Sequence, residues 1–368
     1  MYSLTSGLRV PALQRGLSPT ELALAKVNAG VGGVLLASGF VSPPPLWSVG
    51  AVGAAAVLLN MSPGPRSLAR WATVGYRRLT ERTAPPGMTG ADGATMTWAL
   101  YPGQGTIQDP ARRAGFHAAL SRALTFAGNQ ARVAGIQVHV TYHSTTVDGY
   151  RTHTQTISVH VPKSLGKADR IMGTLEGEFE ALGVLIPVDV DDVPEVAERG
   201  PGWVGLVDGR YASTARITGW PAQTDGTLMP DLLLGTVRGR LNPNPEPFPD
   251  RSLSVLYRPL PEGQSRRSAK WTRAISEAFR MDKVAADADS IADDTTHGAL
   301  VAGDSLIDLD AYLTTWGDSP EEVTAARLQT DIGADRHRLG LDWLAGQQHR
   351  AHVMTSPHGA QTRKGAVL

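Results

Sequence analysis

From Val27 to Pro65 the chain carries no charged residue, a run of 39 positions dominated by Ala, Val, Leu and Gly. A soluble domain rarely tolerates such a run, because its surface needs polar side chains. Ser42-Pro43-Pro44-Pro45 interrupts it and cannot continue a helix, since proline lacks the N–H and clashes with the preceding turn. The segment 19–62 is therefore expected to form two short transmembrane helices joined by a tight turn. The first opens at Ser18-Pro19-Thr20-Glu21, with Ser18 as N-cap, Pro19 at the first helical position and Glu21 closing a capping box. Running to about Val41, it is long enough to cross roughly 30 Å of hydrocarbon. The second, about Leu46 to Met61, is shorter than the usual ~20 residues and needs bilayer thinning or an interfacial extension. Trp47 sits where an interfacial aromatic belongs. The competing reading is a buried helical hairpin in a soluble protein. A cleaved signal peptide fits less well, because the apolar stretch starts late and no basic region abuts a single short core.

The flanking charge is one-sided. Arg9, Arg15 and Lys26 precede the pair and Arg66, Arg70, Arg77, Arg78 and Arg82 follow it. The positive-inside rule then gives a two-pass protein of the inner or plasma membrane with both termini, including segment 1–18, in the cytoplasm. Arg66 to Leu79 can form a basic helix carrying Leu68 and Trp71, suited to lying along anionic lipid head groups. Thr83 to Gly93 is rich in Pro and Gly and reads as a linker, so 63–93 is expected to be a juxtamembrane helix and linker.

Over the whole chain Lys+Arg (35) balances Asp+Glu (35). That argues against a basic protein coating nucleic acid, and no direct sequence-specific nucleic-acid binding is expected. Cys is absent, which excludes thiol catalysis, disulfide scaffolds and cysteine-ligated metal centres.

The folded cytoplasmic part is expected to be α+β, two ferredoxin-like units over 94–198 and 199–357, before a disordered tail at 358–368. In the first, Thr95 to Tyr101 is strand-like and Asp109-Pro110 starts a helix to about Ala127. Ile136, Val138, Val140 and Tyr142 alternate with polar residues as a half-buried strand. Asp148-Gly149 turns the chain into a returning strand, Tyr150 to Val161. Ser164 can cap a helix holding Ile171, Leu175, Phe179 and Leu182, and Val184 to Val190 closes a βαββαβ order.

An acidic connector, Asp189 to Gly202, leads to the second unit. There Tyr211 to Trp220 is a strand, Leu228 to Leu234 a short helix, and Leu241 to Pro249 a loop with four prolines. Leu253 to Tyr257 is strand again. Ser265 to about Ile291 is helical, with Trp271, Ile275, Phe279 and Met281 on an apolar face that packs on the domain or on a partner. Gly303 to Trp316 is an alternating strand, Leu309, Ala311 and Leu313 opposite Asp308, Asp310 and Tyr312. Ser319-Pro320-Glu321-Glu322 opens a helix to about Gly333; a strand at Leu339 to Trp343 and a short helix from Ala345 follow.

Catalytic patterns are missing. Gly166-Lys167 has Val161 where a P-loop needs its first Gly and Ala168 in place of the hydroxyl. Asp287, Asp289, Asp293 and Asp294 lack the Gly and distal Glu of a calcium loop and read as a solvated helix face. His139 and His143 share strand parity, and pairing around Asp148-Gly149 brings them opposite Ser158 and Thr154, with His153 and His160 on the return. No carboxylate has matching spacing, so this reads as a solvent-facing polar sheet surface rather than a metal site. His337, His349, His352 and His358 are scattered near the tail. No catalytic, cofactor-binding or metal-binding residue is expected.

The features from Arg210-Tyr211 onward come in a distinctive order. A strand ends at Trp220-Pro221; the Leu232-Leu233-Leu234 helix, the strand Ser252-Leu253-Ser254-Val255 with Pro259, and the Arg266-Arg267 helix follow. Asp310-Ala311-Tyr312-Leu313-Thr314, the Ser319-Pro320-Glu321-Glu322 helix start and Gln347-Gln348 complete it. This order resembles the non-nucleotide-binding N-terminal region of the TraC-like assembly ATPases of conjugative type IV secretion. It looks most like the stand-alone actinobacterial version, in which a two-helix anchor precedes that region and the ATPase is a separate polypeptide. The resemblance spans roughly Val27 to Pro357. It implies a non-enzymatic, oligomeric component that docks a separate P-loop ATPase beside inner-membrane channel subunits. Met354-Thr355-Ser356-Pro357-His358 departs from the family's apolar-Pro-Leu segment. The E-type membrane subunit of type VII secretion shares the coarse architecture, although the Trp220-Pro221 to Ser254 order favours the conjugation reading. A third reading is a membrane-surface enzyme using Asp208, Arg210 and Asp225 near Trp203.

Overall fold

The computed structural model describes residues 93–103, 106, 109–130, 136–147, 150–162, 165, 167–188, 195–219, 232–233, 249–261 and 307–356, with 47, 50, 51, 53, 54 and 75 upstream. Those six upstream positions are helical and exposed, Trp47 among them. Among the described residues no helix is long and apolar enough to cross a membrane. The hairpin expected over 19–62 falls outside them apart from the isolated positions, as do the 265–291 helix, the acidic run at 287–294 and the tail.

The first run of elements is β1 (Gly93–Pro102), α1 (Pro110–Gln130), β2 (Gln137–Val147), β3 (Tyr150–Pro162), α2 (Ala168–Phe179), a 3-10 turn (Glu180–Leu182) and β4 (Gly183–Pro187). The Asp109 carboxylate accepts from the Ala111 amide at 2.8 Å, supplying the N-cap of α1. α2 begins later than a Ser164 cap would place it: Lys167 is its N-cap, in a left-handed conformation with φ 57°. At Gly183 a Cβ would lie 2.2 Å from the Tyr101 carbonyl oxygen, so only glycine lets β4 close on β1. The strands lie in the order β4-β1-β3-β2, and each neighbouring pair is antiparallel.

The second run is β5 (Val196–Arg199), β6 (Val204–Leu206), β7 (Tyr211–Gly219), β8 (Arg251–Pro259), β9 (Ile307–Gly317), α3 (Pro320–Arg336), β10 (Gly340–Trp343) and α4 (Gln348–Thr355). Leu232 and Leu233, between β7 and β8, are helical and buried. β10 pairs with β7, β7 with β9 and β9 with β8. Taken in chain order, β10-β7-β9-β8 repeats the spatial sequence β4-β1-β3-β2. β5 was expected to be connector; it is a strand because β6 supplies its ladder, and residues 198 and 199 both lie in it.

The two runs share one sheet. β2 pairs antiparallel with β8 from Val138↔Tyr257 to Ser144↔Arg251, giving a ten-stranded sheet. One face is apolar. Trp98, Val140, Ile157 and Val159 pack with Leu124, Leu175 and Phe179 of the helices; Leu253, Val255 and Leu313 pack with Ala334 of α3. Tyr142 and Tyr257 touch both clusters, so the core runs on beneath the junction. Each fully buried large apolar side chain here is worth ~2 kcal/mol.

Candidate functional site

Strand alternation sends every second residue to the other face, and there the side chains are polar yet buried. Thr97, Thr141 and Ser158 are buried, and His139 and His160 are only 2% and 1% exposed. The surface expected to face solvent therefore does not. His139 lies opposite Ser158 and His143 opposite Thr154, the register that a two-residue connection at 148–149 dictates. His153 has the opposite parity and stacks on Tyr142 at 6.1 Å, so the hairpin does not gather four imidazoles. Among the described residues no three His, Cys, Asp or Glu side chains are placed to hold a metal ion. Burial pushes the His139 imidazole down to about 4, because charging it there forfeits hydration. Its Nε2 lies 3.2 Å from the Thr141 hydroxyl, and its Nδ1 has no hydrogen-bond partner.

Where the two runs join, β2, β8 and β9 bring together His143, Ser252 and Trp316. Trp316 Nε1 donates to Ser252 Oγ at 2.8 Å, and Ser252 Oγ lies 2.6 Å from His143 Nδ1. With the indole N–H already donated to it, the serine hydroxyl is free to donate its own hydrogen bond to the imidazole, forming a chain of contacts across three strands. Arg210 stacks over the Trp316 ring at 4.7 Å, and His143 and His352 meet that ring edge-on at 6.1 and 6.2 Å. Asp250 accepts from Thr145 Oγ1 at 2.5 Å and from the Thr146 amide at 2.9 Å, fixing the end of β2 to the start of β8. A serine hydrogen-bonded to an imidazole is the starting requirement of a nucleophile, but Ser252 is 5% exposed. Its geometry serves as a joint.

Further along β9, Asp310 accepts from Arg216 Nη2 and from Arg258 Nη1, both at 2.6 Å. Burial alone would raise the carboxyl; the hydrogen bond from Arg258 and the two guanidinium charges outweigh it and hold Asp310 below the usual carboxylate range. Two cations on one carboxylate leave excess positive charge, which Asp308, 4.0 Å from Arg258, offsets. Gln348 of α4 reads the β7 backbone like an added strand: its Oε1 accepts from the Thr214 amide at 2.7 Å and its Nε2 donates to the Thr214 carbonyl at 3.0 Å. Tyr312 packs with Leu344, Ala351 and Met354 beside it. The sequence singles out Gln348 by its place in the resemblance; nothing in its periodicity announces the bidentate role.

Two of the residues named for a membrane-surface enzyme, Asp208 and Arg210, lie in the β6–β7 connection. Asp208 accepts from the Arg210 amide at 3.0 Å within a turn, while Arg210 goes to Trp316 and Trp203 meets Tyr211 edge-on at 5.2 Å. Asp225 lies outside the described residues. No family model and no curated protein matches this chain.

Proposed function

We propose that the protein is a membrane-anchored, non-enzymatic component of a conjugative, type IV-like secretion apparatus, docking a separate cytoplasmic P-loop ATPase beside inner-membrane channel subunits. In this reading the charge-free run 27–65 is the two-pass anchor, and the sheet is two ferredoxin-like units fused edge to edge. The observation that supports it is where the family-like features fall. Tyr211, Leu232-Leu233, Ser252 to Val255, Asp310 to Thr314, Ser319 and Gln348 fall on β7, the helical pair 232–233, β8, β9, the cap of α3 and the start of α4, while Trp220-Pro221 and Arg266-Arg267 lie outside the described residues. The buried polar face acts as scaffold, because side chains on it bond across the strands, Thr97 with Ser158, Thr95 with His160 and His143 with Ser252.

Affinity purification of the full chain from its native membrane in mild detergent tests this. Recovery of a P-loop ATPase of the conjugative type is the expected result. Recovery of type VII core subunits, or turnover of a membrane substrate that Ser252→Ala abolishes, overturns it.

A further inference from the structure

The edge strands of the sheet, β4 at one end and β5 and β10 at the other, differ in kind, and β10 carries Asp342. β5 carries Glu198 and Arg199 after Glu195, charges of the sort that keep an edge strand from pairing with another chain. β4 has no charged residue from Gly183 to Val188. Val184 is 63% and Ile186 49% exposed, and on the same face Tyr101, opposite Val184 on β1, is 56% exposed. Among the described residues no strand pairs with the outer edge of β4. We propose that β4 is a self-association edge, pairing antiparallel with β4 of a second copy of this chain to continue the sheet across a two-fold axis.

Strand chemistry selects both the occupant and the register. The Val188 amide donates to the Thr97 carbonyl of β1 at 2.9 Å, so positions 184, 186 and 188 direct their backbone groups inward and 183, 185 and 187 direct theirs outward. Pro187, which has no N–H, thus stands at an outward position. An antiparallel pair centred on Leu185 gives two reciprocal bonds between the Leu185 backbones. The outward pair Gly183–Pro187 adds no backbone bond, since the Gly183 amide already donates to the Glu180 carbonyl and proline has no N–H, so the Leu185 pair and the apolar side chains carry the contact. The same register sets Val184 against Ile186 of the other copy, apolar against apolar, twice. A charged strand from another protein would gain no partner here, whereas a second β4 desolvates no charge. The inference is independent of the conjugation reading, since it uses only β1, β4 and β5.

The chain has no cysteine, so single introduced thiols report cleanly. In a hydrogen-bonded antiparallel pair the facing Cα atoms are about 5.5 Å apart, within reach of a disulfide. In the full chain held in detergent, mild oxidation is expected to cross-link Leu185→Cys to a dimer and to leave Ala197→Cys, on β5, uncross-linked. Light scattering with the detergent subtracted is expected to give twice the 39.1 kDa chain mass, falling to one copy in Val184→Lys/Ile186→Lys, with the far-ultraviolet circular dichroism unchanged because both side chains are exposed. A single-copy mass for the unaltered chain, a dimer that survives the double lysine variant, cross-linking through residue 197 in place of 185, or a different protein found linked to the thiol of the Leu185→Cys variant would each overturn the proposal.

Discussion

Asp310 and His139 are both buried and ionisable, and they answer acid at different pH. Asp310 is depressed by its two arginines, so its contribution is complete above the unfolded value of about 4 and is lost as pH falls through its lower folded value. Asp310→Asn leaves Arg216 and Arg258 facing a neutral amide and is expected to cost about 3 kcal/mol at neutral pH, measured by urea unfolding. His139 acts earlier. Its folded value near 4 lies below the unfolded 6.5, so the unfolded chain takes up the proton first. Stability is complete above about pH 6.5 and falls by roughly 2 kcal/mol by pH 5. In His139→Gln that slope is expected to flatten, and a pH series of urea midpoints checks it. The alternation that places His139 opposite Ser158 was readable from the sequence; its burial was not, because period two assigns a residue to a face without saying what covers that face.

At the scale of elements, the cap of α3 was legible, whereas the Ser164 cap expected for α2 was not the one used. Ser319 Oγ accepts from the Glu322 amide at 3.2 Å, and the Glu322 carboxylate returns to the Asp318 amide at 2.8 Å, one residue outside the usual reciprocal box. Ser319→Ala is expected to cost about 1 kcal/mol, a thermal midpoint lower by roughly 2–4 °C. The hairpin β2–β3 was equally legible, since Asp-Gly between alternating runs encodes its turn. β5 and β6 were not: each is too short to show a period, and they exist because each supplies the other's ladder. The joint is a further element-level case. Ser252→Ala strands the Trp316 N–H and removes the His143 contact, and should cost about 1–3 kcal/mol, read as a urea midpoint shift, while Ser252→Thr, which keeps the hydroxyl, loses less.

For the molecule as a whole, the pairing of β2 with β8 was the feature beyond reach of sequence. Local patterns specify strands and faces, but which edge meets which depends on contacts between residues far apart in the chain, such as Val140 with Val255. A common core under Tyr142 and Tyr257 predicts that the two runs unfold together. Variants that retain only Trp98 or only Trp316 of the eight tryptophans should report coincident urea midpoints; two separated transitions would mean that the junction is weak.

That junction also sets a rule about asymmetry. Leaving β5 and β6 aside, β2 and β8 are the second strands of their respective runs, and they meet antiparallel, the arrangement a two-fold homodimer would adopt, here enforced by one covalent chain. Once both halves are in one polypeptide, they are free to diverge. Between the second and third strands one half keeps the two-residue connection 148–149, while the other inserts residues 260–306. A partner that meets the chain between the second and third strands therefore encounters a different length of polypeptide in each half.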